Sequence, residues 1–305
     1  MTTPLKSAQR TAYLNKGLGK AAPKGETFGM NDEPILRTNQ RVYDAMAARR
    51  DPLCRPATDE EFAQPLRAID QAGWLGESIV GQRVLCLAAG GGRQSSLYAA
   101  AGAEVTVVDL SGAMLDLDRQ VAAARGFSLR ILQTSMTDLS GLNDGEFDIV
   151  IQPVSTCYVP SVGPVFAEVA RVLRQGGLYI SQHKQPVSLQ AGMETLHGGH
   201  YPLRHRYYRD TPVPPPDTSS AAAKRLREQG AVEFLHRWEE LIGGMCRCGF
   251  VIEDLIEPLH AKPDMPPGSF ADRATFAPPY VRIKARRQCR GTNDSSPHTA
   301  RKLIL

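Results

Sequence analysis

Long apolar runs are missing from this chain of 305 residues. No stretch approaches the ~18 uninterrupted apolar residues that a membrane span requires, so a spanning segment is not expected. The first thirty residues also lack the apolar core of a secretory signal. They are nearly without acid: Lys6, Arg10, Lys16, Lys20 and Lys24 stand against Glu26 alone. Residues 1–33 therefore read as a solvated, mobile basic tail in preference to an organelle transit segment. Cysteine is sparse, at positions 54, 86, 157, 246, 248 and 289. Only Cys246 and Cys248 lie close together, without a CxxC partner or a zinc-spaced histidine pair, so no metal is expected. Nothing calls for an oxidising compartment, and a cytoplasmic location follows as the expectation. No internal repeat is present.

Positive charge is scarce on the body of the chain. The formal net charge is +4, with 42% hydrophobic and 22% charged residues, ordinary values for a globular domain. The first thirty residues carry +4, and residues 281–305 carry seven bases against Asp294, or +6. About −6 is left for everything between. Nucleic-acid binding domains concentrate positive charge on the folded body, so nucleic acid is not an expected partner.

What is present is a rhythm. Apolar, β-rich runs fall at 84–88, 104–109, 128–132, 147–152 and 178–182, and helical patterns separate them at 94–101, 112–124 and 162–173. That spacing predicts βαβ units, with the last of these helices stopped by Gly176 and Gly177. Two helical patterns precede the sheet. One covers 35–50; the other covers 58–72, with Thr58 and Glu61 as a capping box and Pro65 positioned to kink or split it. After 182 the alternation gives way to a segment rich in His, Tyr, Gly and Pro. A helix over 232–245 and strands near 250–256 and 279–285 close the pattern. The expected fold class is α/β: a doubly wound, mainly parallel seven-stranded sheet with N-terminal helices and an inserted lid. One domain over 34–287 is expected, with a helical cap at 34–80, a lid insertion at 184–230 and a loose tail from 288 to 305.

The chemistry concentrates where the first strand ends. Residues Ala88-Ala89-Gly90-Gly91-Gly92 follow it, and the second strand ends on Asp109. Glycines after a strand let a ligand approach the backbone, and an acid closing the next strand is placed to accept hydrogen bonds from a ribose diol. Together these features imply a pocket for an adenosine-bearing cofactor.

On these residues the chain resembles the class I S-adenosylmethionine-dependent methyltransferases, near the broad type-11 group. That family's first motif reads strand, acid, Gly-x-Gly-x-Gly. Here Gly90 and Gly92 match the second and third glycines, Ala88 replaces the first, and Cys86 replaces the acid. Asp109 matches the ribose-binding acid. The loop containing Ser135 and Met136 stands where the family flanks the adenine, with Ser135 where an acid is common. Residues 147–152 and 172–178 resemble the fourth and sixth motifs. The resemblance implies S-adenosylmethionine as cofactor, held by Ala88, Gly90, Gly92, Asp109, Leu110, Ser135, Met136 and Gln152. Losing the acid at Cys86 removes a group that often organises the glycine loop, unless another polar group compensates or the site is weak.

Methyl transfer by in-line displacement forces no fixed catalytic set, because the donor is already activated and the protein must chiefly align and desolvate. Two groups follow strands at the expected carboxyl edge: Tyr158, a pocket-wall candidate, and His183, a base or acceptor-orienting candidate. In the segment from 197 to 208, His200 and Tyr201 are expected to belong to a lid over the substrate. The expected acceptor is a small molecule, since no recognition domain is appended and the body is not basic. Two rivals have other signatures. An NAD(P)-dependent oxidoreductase needs Gly-x-Gly-x-x-Gly, but Ser95 holds the last position. A non-catalytic cofactor-binding module has the missing acid at Cys86 as its only support. Acceptor identity and oligomeric state are not encoded in these patterns.

Overall fold

Strict alternation of side-chain faces builds the sheet. In β1 (Arg83–Leu87), Val84 and Cys86 enter one core layer and Leu85 and Leu87 the other, all four fully buried. A strand with two apolar faces must be covered on both sides. β2 (Glu104–Asp109) repeats the pattern, with Val105 and Val107 on one side and Val108 on the other. The computed structural model describes residues 32–196, 199–216 and 220–289. The expected tails fall almost wholly outside that range.

The remaining strands are β3 (Leu129–Gln133), β4 (Phe147–Gln152), β5 (Leu173–Lys184), β6 (Phe250–Ile256) and β7 (Tyr280–Arg287). Their order is β3-β2-β1-β4-β5-β7-β6. All pairs from β3 to β5 are parallel, and β7 runs antiparallel to both β5 and β6. The direction of the strand order reverses between β1 and β4. In open α/β sheets, ligands bind at the carboxyl ends of the strands around such a switch point.

Ten α-helices accompany the sheet among the described residues: α1 (Glu33–Ala48), α2 (Asp59–Ala63), α3 (Pro65–Ile69), α4 (Arg93–Ala100), α5 (Gly112–Arg125), α6 (Gly163–Val172), α7 (Pro186–Gln190), α8 (Ala221–Leu226), α9 (Trp238–Arg247) and α10 (Phe270–Phe276). Tyr98 of α4 and Leu115 of α5 enter one core layer. Val165, Phe166 and Val169 of α6 enter the other with Leu241 and Met245 of α9.

Local chemistry explains where several helices start and stop. Thr58 and Glu61 form the reciprocal capping box at α2, and Pro65 splits the run into α2 and α3. Ser111 caps α5 by accepting from the Met114 N–H, and Gly126, at φ 74°, ends it.

Two expected boundaries move. The helix expected over 232–245 begins only at Trp238, because the backbone before it is engaged elsewhere. The Val213 N–H donates to the Glu233 carbonyl (2.7 Å), and the Phe234 N–H donates to the Cys157 carbonyl (2.7 Å). The strand expected over 178–182 already begins at Leu173, so Gly176 and Gly177, expected as the stop between helix and strand, lie inside β5, while the helix expected over 162–173 ends at Val172. At Gly177 a Cβ would stand 2.8 Å from the Arg174 carbonyl oxygen, so the glycine is needed there for close packing.

Candidate active site

The loop after β1 bends at once. Ala88 takes a left-handed conformation (φ 48°), and Gly91 and Gly92 follow at φ 119° and 82°. This geometry aims successive N–H groups inward at Asp118, a fully buried carboxylate on α5. Gly91 donates to Asp118 Oδ2 at 2.9 Å and Gly92 to Oδ1 at 3.1 Å; the Ser95 hydroxyl also donates to Oδ1. Burial raises the Asp118 carboxyl to about 6, with the Ser95 and loop hydrogen bonds opposing that rise. Cys86 is buried behind this loop, its thiol pushed up by burial and by Asp118. The carboxylate that β1 lacks at Cys86 is thus supplied from a helix.

The next donor in the loop turns the other way. The Gly90 N–H donates to Asp109 Oδ2 (2.9 Å), and the Ser111 N–H donates to Oδ1 (2.9 Å). A carboxylate has about four lone-pair sites, so Asp109 retains capacity for a diol. Burial raises its pKa, and the N–H groups of Ser111, Gly90 and Leu110 oppose that rise. A Cβ at Gly90 would lie 2.8 Å from Met114 Cβ and 3.0 Å from Asp109 Oδ2, so only glycine lets loop and acid meet here.

Loop and acid open on a cavity of about 570 Å³ at the carboxyl edge of the sheet. Its wall includes Ala88, Gly90, Asp109, Leu110, Ser135, Met136, Gln152 and Tyr158. Gln152 is held rigidly: its amide donates to Ser155 Oγ (2.9 Å) and its carbonyl accepts from Tyr179 (2.5 Å). The cavity also exposes Gln94, whose buried Oε1 has no hydrogen-bond partner. An orphaned acceptor beside a glycine loop, with an acid that can take a diol, fits the donor groups of an S-adenosyl cofactor.

Leu36, Asn39 and Tyr43 of α1 and Ala68 and Ile69 of α3 contribute the wall above this edge. Among the described residues of the segment expected to be the lid, only Arg225 and Glu228 line the cavity. His200 and Tyr201 pack on Phe276, and the Tyr201 hydroxyl bonds Asp272 at 2.6 Å; neither residue lines the cavity. Gly92 lies under the loop, where a Cβ would meet Val121 at 2.8 Å.

His183 is 1% exposed and likewise does not line the cavity. Its Nδ1 is 2.8 Å from Thr156 Oγ1 and its Nε2 is 2.8 Å from Ser181 Oγ. Burial, with His236 nearby, takes its pKa down to about 3, so the imidazole is neutral at ordinary pH.

Tyr158 lines the same cavity, in a network that no motif announces. Its hydroxyl donates to Glu228 Oε2, and Tyr43 packs edge-on against its ring at 5.5 Å. Lys184 Nζ lies 3.0 Å from Glu228 and 2.7 Å from Glu233, and Arg227 pairs with Glu233. Burial alone would raise the Glu228 carboxyl; Lys184 and the Tyr158 hydroxyl outweigh it and hold the group below the usual carboxylate range. Glu228 is therefore an ionised carboxylate on the cavity wall.

Comparison with known proteins agrees with this geometry. A family model described as a methyltransferase domain matches residues 85–181. The chain is 39% identical over 181 residues to the uncharacterized methyltransferase YbaJ of Bacillus subtilis (strain 168), spanning 59% of this chain and 69% of that protein. It is 30% identical over 170 residues to the ubiquinone biosynthesis O-methyltransferase of Bordetella pertussis, spanning 53% of this chain and 66% of that one. In fold it is similar to an S-adenosylmethionine dependent methyltransferase from Mesorhizobium loti, with a TM-score of 0.54 at 20% identity over 74% of this chain and 100% of that one. The chain belongs to the class I S-adenosylmethionine-dependent methyltransferases. S-adenosylmethionine is the cofactor of that family.

Proposed function

We propose that this methyltransferase acts on a small-molecule acceptor, which enters the same cavity as the cofactor and gives up its proton beside Tyr158 and Glu228. One observation carries the reading: the Asp109–Gly90 cradle and the Tyr158–Glu228 pair line one continuous cavity of about 570 Å³. That volume suits two small ligands and falls within the ~300–1,000 Å³ of small-molecule sites. The bound cofactor supplies a methyl group on a positively charged sulfur. The chain's own work is to hold the acceptor in line with it, exclude water and receive a proton.

Ala88, Gly90, Asp109, Leu110, Ser135, Met136 and Gln152 are proposed to hold the cofactor, with Gln94 as an added acceptor. Gly92 acts one step removed, by giving its N–H to Asp118. Tyr158 is the proposed catalytic contact. Burial and the neighbouring Tyr43 hold its phenol well above the ordinary range, so it stays protonated and orients the acceptor; Glu228, ionised beforehand, receives the acceptor's proton. His183 has both ring nitrogens engaged; its proposed part is to fix the turn at Thr156 from which Tyr158 projects. His200 and Tyr201 are proposed to anchor the inserted segment on α10.

The test is transfer of labelled methyl from S-adenosylmethionine to hydroxyl- and amine-bearing small molecules. Tyr158→Phe and Glu228→Gln are expected to lower turnover about 10²-fold or more while leaving S-adenosylhomocysteine affinity within about twofold. Equal loss of cofactor affinity in both variants would remove this pair from the acceptor site.

A further inference from the structure

We infer that the acceptor carries an oxyanion, a carboxylate or a phosphate, bound by Arg225 and Arg282 on the cavity wall. This inference rests on the proposed small-molecule acceptor and adds its charge. Both arginines line the cavity. Among the described residues neither guanidinium is paired with a carboxylate, although most other cavity charges are compensated. Arg93 pairs with Glu61, and Glu228 pairs with Lys184. Asp70 accepts from the Trp74 and Leu75 N–H groups, and Asp109 from those of Gly90 and Ser111.

Both arginines are nevertheless held in place. The Arg282 Nε–H donates to Gln182 Oε1 (2.8 Å), which among the described residues leaves the terminal nitrogens of its fork without a protein partner. Arg225 lies over the Phe270 ring at 3.9 Å. Phe270 meets His260 edge-on at 5.4 Å, and His260 meets Tyr280, another cavity residue, at 5.5 Å. A guanidinium stacked on an aromatic face keeps its N–H edges free for an in-plane, bidentate oxyanion.

The surrounding field has the matching sign. His260 is held below its ordinary range by partial burial, then by Arg225 and Arg282 together, so both positive charges act on one place. Two oriented guanidinium groups without a carboxylate partner on the cavity wall also draw an anion in from solution.

The experiment follows the arginine Nε–H resonances of ¹⁵N-labelled full-length protein during titration with inorganic phosphate, with acetate and with neutral acetamide. Arg225→Gln and Arg282→Gln supply the assignments, and calorimetry with S-adenosylhomocysteine runs in parallel. The expected result is a saturable shift of both resonances with phosphate or acetate and none with acetamide. The apparent affinity should fall about tenfold or more in either variant, while S-adenosylhomocysteine binding stays within about twofold. Tighter binding of phosphate or of acetate identifies which oxyanion the site takes. Shifts that do not saturate, or that match those of arginines elsewhere on the surface, overturn the inference while leaving the methyltransferase reading intact. Failure of S-adenosylhomocysteine to bind would instead overturn that underlying reading, whatever the anions do.

Discussion

At Asp118 three donors converge on one buried carboxylate: the N–H groups of Gly91 and Gly92 and the Ser95 hydroxyl. Asp118→Ala would strand two buried N–H groups and is expected to lower unfolding free energy by about 3 kcal/mol, measured by urea denaturation. pH dependence follows with a definite sign. Burial raises the folded carboxyl to about 6 from an ordinary 3.8, so the folded chain takes up the proton first. The contribution of Asp118 to stability therefore falls as pH rises from 3.8 to about 6 and is constant above. Cofactor affinity should run the opposite way, weakening below pH 6 as the anion that orders the loop is lost. Asp118→Asn should flatten that dependence in calorimetry at pH 5 and pH 7.5. Gly90→Ala drives a Cβ into Asp109 and Met114, and a loss of at least about tenfold in S-adenosylhomocysteine affinity is expected from a folded variant.

At the scale of elements, the buried side chain of Asn39 ties α1 to the sheet edge. Asn39 Nδ2 donates to the carbonyls of Tyr158 (3.1 Å) and Val232 (3.0 Å), and its Oδ1 accepts from the Val232 N–H (2.7 Å). One amide thus joins the cavity roof, the turn bearing Tyr158 and the segment leading into α9. Asn39→Ala is expected to destabilise by about 2–3 kcal/mol and to raise the Michaelis constant for the acceptor more than that for the cofactor.

The strands were legible because each is a short apolar run in a regular order, and the periodicity of two in β1 survives into the structure unchanged. Asp109 and Gly90 were legible because both lie next to strand ends. Asp118 was not: nothing local distinguishes it from other helical acids, and its three donors come from the glycine loop and from Ser95 of α4, which only folding brings near. Glu228 and Arg225 were hidden for the same reason, in a segment with no periodic signal. The onset of α9 was misplaced because Glu233 and Phe234 spend their backbone groups on tertiary partners, which overrides local helical pattern.

Over the whole molecule, the sheet's carboxyl edge and the roof from α1 and α3 enclose one cavity. The glycine loop, Asp109 and Gln94 are its proposed contacts with an adenosyl ligand, and Tyr158, Glu228, Arg225 and Arg282, on the same wall, are those proposed for the acceptor. No helix among the described residues is long and apolar enough to cross a membrane. Because a ligand that binds only the folded chain stabilises it, saturating S-adenosylhomocysteine should raise the melting temperature. At a hundred times its dissociation constant it adds about 2.7 kcal/mol.

The central claim is that the loop from Ala88 to Gly92, with Asp109, binds an S-adenosyl cofactor although β1 has no acid. Calorimetric titration of the full chain with S-adenosylmethionine, S-adenosylhomocysteine and NADH tests it most directly. Micromolar one-to-one binding of the first two, none of NADH, and a roughly 1–3 kcal/mol loss in Asp109→Ala is the predicted result. Binding of NADH alone, or unchanged S-adenosylhomocysteine affinity in a folded Asp109→Ala variant, would contradict it.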